Sequence, residues 1–176
     1  MANLISDSSL PEEHRTSPGG AYEIRRRHIS LALGGVKDIG AWGGGHPFDI
    51  ELATIPPGKA GYPLHSHAAQ TEHYIILQGS GLLRGADGAE QAITAGDHFI
   101  CHPGEAHQLF NNSPADLTYY VIADHHRADV TTYPNSGKRQ IKPEYRNFRI
   151  EDTDYYDGEE QQPAAAGVQP TRLSGV

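Results

Sequence analysis

Short alternating runs separated by turn residues constrain this chain more than any other feature. Phe48, Ile50 and Leu52 alternate with Asp49, Glu51 and Ala53, which gives a strand with one apolar face, and Glu72, Tyr74, Ile76 and Gln78 share a second parity. A period of two puts such residues on one side of an extended strand, whereas a helix needs a period near 3.6. Ile29, Leu31 and Leu33 carry the same alternation upstream, so 22–33 is expected to be a strand. The breaks have turn chemistry: Pro56-Pro57-Gly58, Gly79-Ser80-Gly81, Ala95-Gly96-Asp97 and Pro103-Gly104. Leu82–Arg84 and Glu90–Ile93 flank Ala86-Asp87-Gly88, whose Asp-Gly pair signals a hairpin. His98–His102, His107–Asn112 and Leu117–Ala123 complete a meander, and no segment has helical periodicity. Roughly eight to ten short strands at regular spacing point to an all-β fold closed as a β-barrel or jelly roll.

At 176 residues and 37% hydrophobic content, the chain can bury a core as one domain without covalent staples. Its single Cys101 excludes an internal disulfide framework and fits a reducing compartment. The formal charge of -8 argues against nucleic acid as a partner, because phosphate binding requires clustered Lys and Arg. Arg25, Arg26 and Arg27 form the one basic run, expected to be a solvated strand face. The amino-terminal MANLISDSSLPEEHR lacks the basic start and apolar run of a secretory signal, and no stretch is long enough to span a bilayer. A soluble cytoplasmic protein with no membrane partner is therefore expected.

Within the alternating region, 58–79 (GKAGYPLHSHAAQTEHYIILQG) places His65 and His67 two residues apart, so both imidazoles share a strand face. Glu72 opens the following strand, expected to return beside the first and close its carboxylate on the two histidines. In 96–111 (GDHFICHPGEAHQLFN), His107 opens the strand after the Pro103-Gly104 turn and supplies a fourth candidate. Three imidazoles and one carboxylate suit a divalent first-row metal, Fe, Mn, Ni, Zn or Cu, rather than Ca or Mg, which favour all-oxygen shells. One such ion per chain is the expected cofactor, with metal ligands His65, His67, Glu72 and His107.

These two stretches resemble the two signature motifs of the cupin superfamily. The first, G-x5-H-x-H-x(3,4)-E-x6-G, is matched at His65, His67, Glu72 and Gly79, with Gly58 one residue further upstream than the pattern asks. The second, G-x5-P-x-G-x2-H-x3-N, is matched at Gly96, Gly104, His107 and Asn111; His102 stands where the pattern has proline, and Pro103 falls one place later. The resemblance implies a cupin-type β-barrel (a double-stranded β-helix or jelly roll) over 21–126, with extended arms. It also implies a homodimer whose amino-terminal strand lies across the partner. The YPNSGK run at 133–138 and YYDGE at 155–159 resemble the carboxy-terminal part of stand-alone bacterial cupins without an assigned reaction.

Parity sorts the remaining candidates. With Glu72 inward, Tyr74, Ile76 and Gln78 follow and His73 points away; His107 brings Leu109 and Asn111 inward. In the family the asparagine more often fastens the turn than touches substrate. One of Tyr119 and Tyr120 should face the cavity, so Tyr74, Tyr119 and Tyr120 are the candidate catalytic residues, each with a phenol able to bond a substrate or donate a proton. Cys101 is expected to act as a small buried hydrophobe, and His125-His126 as surface. Trp42 and His46 lie in a glycine-rich loop, with Trp42 either lidding a pocket or packing on the barrel end. Residues 1–20 read as an arm, 127–160 as an extension packing on the barrel, with six carboxylates between Glu151 and Glu160, and 161–176 as a disordered tail. A small-molecule ligand is the expected partner. Three functions fit: a metal-dependent enzyme performing Lewis-acid isomerisation or epimerisation on a small oxygen-rich metabolite, an Fe(II)- or Mn(II)-dependent dioxygenase, and a non-catalytic metal-dependent binding or sensing module.

Overall fold

A computed structural model describes residues 3–159, and extended chain dominates among them. The strands are β1 (Glu13–Thr16), β2 (Glu23–His28), β3 (Phe48–Ile55), β4 (Ser66–His67), β5 (Glu72–Gln78), β6 (Ser80–Gly85), β7 (Glu90–Thr94), β8 (His98–Cys101), β9 (His107–Phe110), β10 (Leu117–Asp124), β11 (Asp129–Tyr133), β12 (Lys138–Lys142) and β13 (Arg146–Arg149). Helix among the described residues is limited to one α turn, α1 (Ile29–Ala32), and two 3-10 turns. No helix there is long and apolar enough to cross a membrane. Residues 161–176, read as a disordered tail, and Glu160 lie outside the described residues.

The strands form three antiparallel sheets, ordered β1-β2-β3-β10-β5-β8, β13-β12-β11-β4 and β7-β6-β9. Isolated bridges Ala60↔Phe110 and His65↔His107 tie the segment ahead of β4 to β9, joining the two smaller sheets into one wall. Facing side chains of the large sheet and of this wall make the core: Ile24, Ile55, Ile76, Leu109, Leu117 and Ile93 are each buried. Burying an aliphatic side chain of this size contributes about 1.5–3 kcal/mol, so this layer holds the walls together. The result is the all-β jelly roll that the alternation predicts.

Gly79 adopts φ +83°, and a Cβ there would lie 2.2 Å from the Asp116 carbonyl oxygen, so only glycine fits where β5 leaves the sheet. Asn111 is fully buried; its amide donates to Ile55 O (2.8 Å) and Ala115 O (2.7 Å), and its carbonyl accepts from Ser113 N (3.0 Å). It fastens the turn before β10 and does not reach the cavity centre.

Several expectations need correction. The strand expected over 22–33 ends at His28, because Ser30 Oγ accepts the Ile50 N–H at 2.7 Å and the chain coils into α1 over β3. The apolar side of β3 is not its inner side: Ala53 and Ile55 are buried inward, Asp49 and Glu51 share their parity and line the cavity, and Phe48 is exposed. A barrel that holds a polar cavity inverts the usual rule. β5 does not pair with β4; it lies between β10 and β8, while β4 pairs with β11. Glu72 therefore meets the histidines across the barrel interior, not from an adjacent strand. Gln78 is exposed, because the inward parity of β5 ends at Ile76. The 127–160 extension contributes β11, β12 and β13 to the wall that carries His67, and the 1–20 arm contributes β1 to the edge of the large sheet.

Candidate metal centre

His65, His67 and Glu72 are brought together inside the barrel, each offering one ligand atom within 4.8 Å of the others. Three local devices aim the imidazoles. The Nδ1–H of His65 donates to Pro63 O (2.9 Å), that of His107 to Glu105 O (3.1 Å), and that of His67 to the Asp129 carboxylate (2.6 Å). Carbonyl and carboxylate oxygens only accept, so Nδ1 carries a proton in each ring and Nε2 faces inward. His67 Nε2 lies 3.9 Å from Glu72 Oε1, and the His65 ring centroid is 5.2 Å from that of His67 and 4.7 Å from that of His107.

His107 stands beside this trio but is attached to it through an existing bond: its Nε2 lies 2.8 Å from Glu72 Oε2. The Tyr74 hydroxyl donates to the same Oε2 at 3.0 Å and lies 3.2 Å from His107 Nε2. Burial would depress the His107 ring, yet its bonds to Cys101 and Glu72 outweigh that and push it up to about 10, so in this state it is an imidazolium paired with Glu72. Burial would raise the Glu72 carboxyl, but the His107 bond and the three imidazoles hold it well below the usual carboxylate range. Burial, helped by the His107 charge, drops His65 to about 4, leaving its Nε2 lone pair available at neutral pH. The donor set fits a transition cation: two imidazole nitrogens and one carboxylate, with the His107 ring at its shoulder.

The site opens on a cavity of about 330 Å³ whose lining includes Arg26, Glu51, Tyr62, Tyr119, Gln140 and Lys142. Tyr74 and Tyr119 are both buried, with ring centroids 5.6 Å apart, and burial raises both phenols well above their usual value, so each stays protonated. Tyr120 is corrected as a catalytic candidate. It alternates out of the barrel, and its hydroxyl donates to Asp7 of the amino-terminal arm, outside the cavity. His73 also faces outward, its ring against His98.

Residues that sequence reasoning missed come from β2, the segment just after β10 and the carboxy-terminal extension. Arg26 is buried, not solvated: its guanidinium bonds Glu13 Oε2 (2.8 Å) and Glu51 Oε2 (3.2 Å), while Arg25 pairs with Asp116 and Arg27 with Glu12. Its parity with Ile24 was the available signal. His125, expected at the surface, turns its side chain inward, 8% exposed, with Nε2 2.9 Å from Asp49, whereas His126 is exposed. Trp42 is half-exposed and donates to His125 O (2.9 Å), so it packs on the barrel end. Cys101 is buried in the core opposite Glu72 across the β5–β8 pair. Asp129 and Lys142 had no motif, and only the β-branched and aromatic run at 130–133 signalled their sheet.

Compared with known families, residues 51–123 match the cupin domain. No curated protein matches the chain. Among solved structures, a protein of Acidithiobacillus ferrooxidans, named provisionally as a sugar phosphate isomerase, aligns with TM-score 0.70 at 23% identity, over 84% of this chain and 90% of its own. A sugar phosphate isomerase from a cupin superfamily in Silicibacter pomeroyi aligns at 0.69 and 18% identity, over 93% and 98%. A predicted oxalate decarboxylase of Thermotoga maritima aligns at 0.57 and 22%, over 70% and 100%. At these identities the likeness is one of fold. Residues 51–123 thus match the cupin domain, and the two motifs around His65 and His107 fall within that match, on an antiparallel barrel.

Proposed function

We propose that the chain is a metal-dependent enzyme acting on a small oxygen-rich metabolite, such as a sugar, sugar acid or hydroxy or keto acid, by Lewis-acid isomerisation or epimerisation. The observation that carries this reading is the convergence of His65, His67 and Glu72 inside a polar cavity, with a buried phenol bonded to one of them. His65, His67, Glu72 and His107 would hold one divalent ion of Fe, Mn, Ni, Zn or Cu, which supplies polarisation of a carbonyl or hydroxyl oxygen. The remaining work falls to the chain itself. Tyr74, kept protonated by burial, donates its hydroxyl hydrogen at the cavity centre and can shift that bond from Glu72 Oε2 to a substrate oxygen. A cavity of about 330 Å³ lies at the small end of ligand pockets, which span roughly 300–1,000 Å³, and suits a molecule of monosaccharide size.

The test is to incubate Mn- or Zn-loaded protein in D2O with aldoses, ketoses, their phosphates and hydroxy acids, following deuterium uptake by proton NMR. Exchange at the carbon beside the carbonyl, slowed by Tyr74→Phe, is expected. A ligand that raises the melting temperature yet neither exchanges nor converts would replace this reading with a binding module. One observation favours a second reading. Two imidazoles and one carboxylate, with His107 held off by Glu72, match the donor set of non-haem Fe(II) oxygenases. Oxygen uptake dependent on Fe(II) and substrate would establish it.

A further inference from the structure

The carboxy-terminal extension reaches two of the candidate ligands from outside the 51–123 cupin match. β11 runs antiparallel to β4 with Thr131 opposite His67, and Ala68 N–H donates to Val130 O (3.0 Å), which brings Asp129 alongside the His67 ring. The Asp129 side chain is 1% exposed, and both of its oxygens are occupied. Oδ2 accepts from His67 Nδ1 (2.6 Å) and Oδ1 from Ala69 N–H (2.8 Å). Lys142 Nζ on β12 lies 3.6 Å from Asp129 and donates to Gln70 Oε1 (2.7 Å); Gln70 Nε2 in turn donates to Glu72 Oε1 (3.1 Å). A continuous path of buried and half-buried polar contacts thus runs from His67 through Asp129, Lys142 and Gln70 to Glu72.

We propose that Asp129 is a positioning residue for the metal centre, fixing His67 with Nδ1 protonated and Nε2 free to face the ion, with Lys142 and Gln70 holding Glu72 in the same way. This rests on the metal-dependent reading given above. The extension then completes the site instead of merely covering the barrel. The chemistry requires a carboxylate at this position. An asparagine in its place would have one acceptor oxygen for two donors, His67 Nδ1–H and Ala69 N–H, so one donor would face an NH2 group or the ring would change tautomer.

The test uses the full chain and Co(II) as the probe. Wild type, Asp129→Asn, Lys142→Met and the exposed control Arg139→Ala are titrated with Co(II), reading both affinity and the visible absorption of the bound ion. Asp129→Asn is expected to weaken binding about 10- to 100-fold and alter the spectrum, Lys142→Met to weaken it less, and Arg139→Ala to match wild type. Wild-type binding with Asp129→Asn within about threefold overturns the positioning role alone, whereas a wild type that takes up no Co(II) overturns the metal reading beneath it. Should Asp129→Asn fail to fold, histidine-ring nitrogen NMR on metal-free wild type decides. A Nδ1–H tautomer at His67 supports the role, and a Nε2–H tautomer refutes it.

Discussion

Replacing Arg26 with Met separates a buried anchor from the solvated basic run that the sequence suggested. The Arg26 side chain is 7% exposed and bonds Glu51, itself 17% exposed, and Glu13, 37% exposed. His28 bridges the same two carboxylates at 2.7 Å each, so the four groups form one network at the cavity wall. Met keeps most of the aliphatic stem, which isolates the loss of the charged donors. A charge-assisted bond to the buried Glu51 contributes about 1.5–3 kcal/mol. Solvent screening reduces the bond to the more open Glu13 to about 0–1 kcal/mol. The variant should therefore lose about 2–4 kcal/mol, a melting shift on the order of 10 °C for a domain of this size. Arg25→Ala and Arg27→Ala, which break half-exposed pairs with Asp116 and Glu12, should each cost about 0–1 kcal/mol. Urea denaturation of the three variants measures the contrast, and adding Glu51→Gln to Arg26→Met should recover part of the loss. If Arg26→Met unfolds at the same urea concentration as the two flanking variants, the buried network is refuted.

Asn111→Ala leaves three buried or half-buried backbone groups without their partner and should cost about 2–4 kcal/mol in urea denaturation; a loss under about 1 kcal/mol would contradict its role as the turn's fastener. His28 is raised above its usual value by hydrogen bonding to Glu51, against the opposing effect of burial and with a further bond to Glu13. A raised folded value means stabilisation that is full below about pH 6.5 and lost as pH climbs through the folded value, so His28→Gln should cost more at about pH 5.5 than at about pH 9. Equal losses at both would exclude the linkage. Tyr120→Phe removes the bond to Asp7 and should speed proteolysis ahead of β1 while shifting global stability by less than about 1 kcal/mol; an unchanged cleavage rate would argue against the docked arm.

The sequence carried the barrel and the inward parity of β5, because alternation and turn residues act locally. It carried the His65, His67 and Glu72 cluster through inward parity and motif spacing, although Glu72 reaches the histidines across the barrel interior and not from a neighbouring strand. What it did not carry depends on distant partners. The polar face of β3 turns inward because Arg26, His28 and His125 from other parts of the chain satisfy Asp49 and Glu51 there. Arg26 is buried because Glu13 arrives from the arm, 13 residues earlier in the chain. Ile29 and Leu31 alternate like a strand, yet one bond from Ile50 to Ser30 fixes a helical turn. Asp129 lies 62 residues from His67, with no motif linking them, and only the pairing of β11 with β4 brings them together.

The most direct measurement is the metal content of the purified chain, alone and after dialysis against Fe(II), Mn(II), Ni(II), Cu(II) and Zn(II), by elemental analysis. About one ion per chain is expected, with His65→Ala, His67→Ala and Glu72→Ala each losing it while keeping the barrel's circular dichroism. A folded wild-type protein that retains none of these ions, or variants that hold as much as wild type, would contradict the metal centre.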